Sequence, residues 1–231
     1  MPGDPVPYNV RNDNIITSLL LICFIFTVIA YANAHRFLIR QAKRFFYTPH
    51  ANTTEFSETS SDLRSQMILI FISCLLISLL FYSYTLQNIS DTFVLRSQYT
   101  LIAIYLGITI GYLLLKAGIY TFVNLVFFDS KRNQQWIKSL LFIISVEGGL
   151  LFPAVLLGVY YELNIKTVTF YVIIVLIFVK LLTFYKCFTI FFRRNAISLQ
   201  IILYFCTLEI IPMLAFWGVL VMIANNLIIN F

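Results

Sequence analysis

The sequence predicts an all-α polytopic membrane bundle of six spanning helices, and three observations carry that prediction. Of 231 residues, 60% are hydrophobic and 11% charged, against about 25% charged in a typical soluble domain. Six apolar runs are each long enough, at ~1.5 Å rise per residue, to cross a hydrocarbon layer about 30 Å thick. The cations gather in alternate connections between those runs. A soluble core cannot absorb this much apolar surface, and the short connections leave no room for a separate soluble unit. Residues 1–231 therefore read as a single transmembrane domain.

The runs fall at about 15–34, 67–86, 99–128, 137–161, 168–192 and 199–229. The first follows a polar segment with three prolines and ends before Arg36. Ala32-Asn33-Ala34 resembles a signal-peptide cleavage site. The leading segment, however, carries Asp4 and Asp13 against Arg11, while Arg36, Arg40, Lys43 and Arg44 follow the run, which favours a retained helix. Those four cations recur at helical spacing among Phe37, Leu38, Phe45 and Phe46, a pattern that predicts a short in-plane basic helix in the headgroup layer. Polar breaks at 48–62, 87–98, 129–135, 162–167 and 193–198 separate the later runs.

If the connections alternate sides, the first, third and fifth carry Arg36, Arg40, Lys43, Arg44, Arg64, Lys131, Arg132, Lys138, Arg193 and Arg194. The opposite side carries only Arg11, Arg96 and Lys166. By the positive-inside rule both termini lie outside the cytoplasm. The net charge of +6 thus points to anionic headgroups at the basic connections, not to nucleic acid.

Four ionisable residues sit deep within apolar runs: Lys116, Glu147, Lys180 and Glu209. A charge at the bilayer centre costs at least ~2.5 kcal/mol unless paired or hydrated. Counted from the basic ends of their runs, the acids lie about 10 residues in and the lysines about 12, hence roughly 15 to 18 Å deep. Two acids and two bases at one level, on four helices, predict a buried cluster. Lys186 lies nearer its end of the run and is expected to snorkel to the interface. Helix breakers adjoin the acids: Gly148, Gly149 and Pro153 follow Glu147, and Pro212 follows Glu209. Paired glycines allow close backbone approach, and proline frees a carbonyl that an ammonium could use. The cluster can lock packing, relay a proton or ion, or recognise a polar substrate group. Outward of it the runs are mostly Leu, Ile, Phe and Val, so a continuous polar path is not evident.

Two segments, WIKSLLFIISVEGGLLFPAVLL at 136–157 and YFCTLEIIPML at 204–214, resemble the signature regions of a Bacteroidota membrane family, domain of unknown function 4271. The matching positions are Glu147, Gly148, Phe152 and Pro153, then Cys206, Thr207, Leu208, Glu209, Ile210 and Pro212. The resemblance implies a bacterial inner-membrane location and supplies no activity.

Signatures of catalysis are missing: no H-E-x-x-H, no G-x-S-x-G, no Gly-rich phosphate loop and no aspartate group suited to Mg²⁺. The four cysteines lie in apolar runs without C-x-x-C spacing, and the two histidines, His35 and His50, cannot by themselves hold zinc. No enzyme activity, catalytic residue, metal or cofactor is expected. The leading expectation is a structural or accessory subunit of a larger membrane assembly, with other membrane proteins as partners. The alternative is a small transporter or ion-coupled channel using Lys116, Glu147, Lys180 and Glu209.

Overall fold

The computed structural model describes residues 14–46, 60–89, 98–127, 130–160, 165–191 and 206–229. All of them are helical. The rods are α1 (Asn14–Phe46), α2 (Ser60–Ile89), α3 (Gln98–Phe127), α4 (Ser130–Tyr160) and α5 (Ile165–Phe191); a π-helical turn at Cys206–Ile210 then leads directly into α6 (Ile211–Ile229). Four rods are long and apolar enough to cross a membrane, through Arg64–Thr85, Thr100–Val126, Arg132–Gly158 and Lys166–Ile190. Shorter apolar stretches, Ile16–Ala30 and Thr207–Ile223, occupy α1 and the last rod.

α2 is the hub, packed against α1, α3, α4 and α6. Its Leu76, Leu79 and Tyr82 lie in the main core with Leu20 of α1, Tyr105 of α3, Val155 of α4 and Leu220 of α6. Consecutive rods meet at matching ends. Thr85 near the end of α2 bonds Tyr105 near the start of α3, and Asn124 near the end of α3 donates to Asn133 near the start of α4. From α2 to α4 the chain therefore runs up and down. The outer surface of α3 is apolar: Leu114, Leu115 and Phe122 are 69%, 69% and 72% exposed, the inverse of a soluble helix and compatible with hydrocarbon contact.

Two expectations change. The basic segment is no separate in-plane helix: α1 continues unbroken from its apolar part to Phe46, because residues 34–46 contain neither Gly nor Pro to interrupt the backbone ladder. At ~1.5 Å per residue its 33 residues span about 50 Å, more than the hydrocarbon needs. Its far end is tied into the bundle, where Phe45 packs against Phe142 and Tyr185. Lys43 is exposed, whereas the side chains of Arg36, Arg40 and Arg44 lie outside the described residues. The second change concerns the break at 129–135. Six of those residues belong to α4, which starts at Ser130, since the Asn133 bond and the fully buried Trp136 give its polar first turns partners on α3. The segments 47–59, 90–97, 128–129, 161–164 and 192–205 and both chain ends, which hold Arg11, Arg96, Arg193 and Arg194 of the orientation count, lie outside the described residues.

Candidate functional site

Where the chain turns into α6, Pro212 has no N–H to offer the carbonyl of Leu208 four residues earlier. The backbone there is a π turn over Cys206–Ile210, a wider geometry frequent at functional sites. It directs both Leu208 and Glu209 inward, and Glu209 is 0% exposed. An unpaired carboxylate at such a position would be very costly.

Three donors converge on it. Lys116 of α3 lies 2.8 Å from Oε1 and donates to Oε2 at 2.9 Å. Lys180 of α5 donates to Oε2. The Tyr120 hydroxyl, one helical turn beyond Lys116, donates to Oε1 at 2.6 Å. Tyr120 is itself fixed against Trp136 of α4, ring centroids 5.0 Å apart. One carboxylate thus joins α3, α5 and α6 through charge-assisted hydrogen bonds, roughly twice as strong as neutral ones. Neither lysine turns to a carbonyl freed by proline. Close to Pro153, Tyr171 of α5 donates to the Leu150 carbonyl at 3.0 Å.

Glu147 behaves differently. It lies on the inward stripe of α4 with Leu140, Ile144 and Leu151, at ~3.6-residue periodicity. Lys116, Lys180 and Glu209 all act on it electrostatically. It nevertheless makes no hydrogen bond and no ion pair within 4.0 Å among the described residues, and it is only half-buried. The four charges share one region, then, but only three are in contact.

The adjoining glycines also separate. A Cβ on Gly148 would stand 1.9 Å from the Ser73 Oγ of α2 and 3.0 Å from its Cα, whereas one on Gly149 would meet nothing within 4 Å. Gly148 is what lets α2 and α4 touch, and Ser73 uses that proximity to donate to the Ile144 carbonyl at 3.0 Å. Pro153 lies within α4, on its exposed side.

Lys186 does not snorkel. It is 4% exposed, donates to the Phe45 carbonyl at 2.9 Å and stands 5.0 Å over the Phe45 ring. There it caps the C-terminal end of α1, where partial negative charge collects and a cation is favoured.

A further set of residues escapes a residue-by-residue reading. Tyr105, Thr109, Tyr112, Lys116, Tyr120 and Asn124 recur every three or four positions on α3, and all face inward. At ~1.5 Å per residue this polar row extends about 28 Å, close to the full hydrocarbon thickness. Each member taken singly is unremarkable in an apolar helix; the period was the available signal. Two clefts flank the site. One, about 340 Å³, is lined by Ile173, Leu176, Ile177, Lys180, Leu181 and Phe184 of α5 with Met213 of α6. The other, about 330 Å³, lies among α1, α2 and α4, and Thr27, Ser73 and Ser145 are its hydroxyl-bearing residues. Among the described residues no three His, Cys, Asp or Glu side chains come together, and Cys23, Cys74 and Cys187 are buried free thiols.

Compared with known proteins, residues 16–220 match a family described as a domain of unknown function, DUF4271. The match includes both the Glu147 and the Glu209 segments. No curated protein and no solved structure matches the chain.

Proposed function

The chain belongs to the family described as domain of unknown function DUF4271, and from its fold and buried charges we propose that it is a non-enzymatic, six-span protein of a bacterial inner membrane. In this reading residues 1–231 form one transmembrane domain with both termini outside the cytoplasm, and the protein serves as a structural or accessory subunit of a larger membrane assembly. One observation carries it: both Glu209 oxygens are occupied by Lys116, Lys180 and Tyr120. A carboxylate so engaged fastens helices and has little capacity left for a substrate. The apolar outer faces then serve lipid and neighbouring subunits.

Cross-linking in native membranes, followed by affinity purification and mass spectrometry, tests the subunit role. A stoichiometric membrane partner is expected, and recovery of the chain by itself overturns it. A reporter fused after Phe231 tests the orientation; signal on the cytosolic side refutes it.

A second reading, a small ion-coupled transporter or channel using Lys116, Glu147, Lys180 and Glu209, is favoured by the polar row on α3 beside a Glu147 that lacks a bonded cation. It requires water to reach the level of the cluster. Ion flux through proteoliposomes that disappears in Glu147→Gln would support it over the first.

A further inference from the structure

The Lys116, Lys180 and Glu209 side chains in contact carry a formal sum of +1, two ammoniums on one carboxylate. Among the described residues, Glu147 is the acid that interacts electrostatically with both lysines while hydrogen-bonding to neither. Its ionisation therefore sets the charge of the whole cluster: zero with Glu147 as carboxylate, +1 with Glu147 as acid. We propose that Glu147 is a reversible proton-binding site reached along the polar face of α3, while Glu209 stays a permanently ionised fastener. The inference rests on the membrane-spanning reading, and it stands or falls independently of the subunit role.

Three features of the geometry separate the two acids. Glu209 is fully enclosed and accepts from three donors, so a proton arriving there would have to displace charge-assisted bonds. Glu147 is half-buried and, among the described residues, has no bond to lose. The groups that act on it are Lys116 from α3, Lys180 from α5 and Glu209 from the π turn; it acts in turn on Tyr112 of α3 and Cys74 of α2. Tyr112 is a member of the polar row on α3. Towards one membrane face lie Thr109, Tyr105 and Thr85, the last two bonded at 3.0 Å. Towards the other lie Tyr120, Asn124 and Asn133, with Asn124 bonded to Asn133 at 3.2 Å. Hydroxyl groups can pass a proton to intervening waters, and amide groups can hold such waters in place. Proton uptake adds one H⁺ from water to the Glu147 carboxylate and breaks no bond.

Dicyclohexylcarbodiimide is the probe, because it enters hydrocarbon and reacts with the neutral acid. The acid O–H adds across one C=N bond, and the O-acylisourea rearranges to an N-acylurea that retains all atoms of the reagent. The full-length protein in liposomes would be treated across a pH series and peptide-mapped. Labelling of Glu147 that rises as pH falls, with Glu209 unlabelled, is expected. Glu209 labelled as strongly as Glu147, or Glu147 unlabelled at every pH at which the protein stays folded, overturns the assignment. Infrared difference spectra between the same pH values provide a second readout. The protonated-carboxyl band should vanish in Glu147→Gln, a near-isosteric change, and its persistence there refutes the proposal. For the route, either Thr109→Val or Asn124→Leu should slow growth of that band after a pH jump. An unchanged rate in both refutes access along α3.

Discussion

The junction of α2 with α4 and the junction of α3, α5 and α6 solve the same problem in opposite ways. At the first, Gly148 brings two backbones so close that the Ser73 hydroxyl reaches across to a carbonyl. At the second, the helices stand further apart, and long lysine and tyrosine side chains cross the gap to Glu209. On the membrane-spanning reading proposed above, the difference reflects the solvent. In hydrocarbon, apolar burial does not drive helices together, so association depends either on close packing of small residues or on polar groups that have no better partner. The first junction is therefore expected to respond chiefly to volume and the second chiefly to charge.

Detergent-induced unfolding followed by tryptophan fluorescence would break or sharpen that contrast. The largest effect belongs to Glu209→Gln, which strands two ammoniums and should cost about 3 to 5 kcal/mol. Adding Lys180→Met should recover part of the loss through a favourable coupling energy. Strict additivity of the two changes would show that the charges are not coupled. Gly148→Ala comes next, at about 1 to 3 kcal/mol, because its Cβ would fall on Ser73. Pairing it with Ser73→Gly should restore part of the loss, because the Oγ and Cβ contacts go while the 3.0 Å approach to Cα stays, and strict additivity of the two changes would place the strain elsewhere. Lys186→Met, which removes the cap from α1, should cost no more than about 2 kcal/mol and loosen the end of α1 first, seen as faster amide exchange confined to residues 38–46. Gly149→Ala should be the mildest, within about 1 kcal/mol and of stabilising sign, since open space receives the new methyl. A large penalty there would contradict the division between the two neighbouring glycines.

How much of the site was legible follows from which properties are local. The depth of Lys116, Glu147, Lys180 and Glu209 can be counted along the chain, because each apolar run has a start and a fixed rise per residue. That Glu209 and not Glu147 takes both lysines could not be counted. It depends on the π turn before Pro212, which rotates Glu209 inward, and on the rotation of α4 about its axis. The fate of Lys186 was illegible for a similar reason: its acceptor, Phe45, is 141 residues away in sequence. The polar row on α3 was present in the spacing of Tyr105 through Asn124, but hydropathy averaging hides it, since tyrosine and threonine scarcely lower an apolar window.

Sequence by itself determined the helical character of this protein, the apolar runs, the polar connections and the presence of charges where charges are costly. These are consequences of composition and of distance along one chain. Tertiary structure decided which charges touch, which glycine is indispensable and which face of α3 turns inward. Those outcomes depend on the relative rotation and separation of helices, which arise only when every rod packs against its neighbours at once.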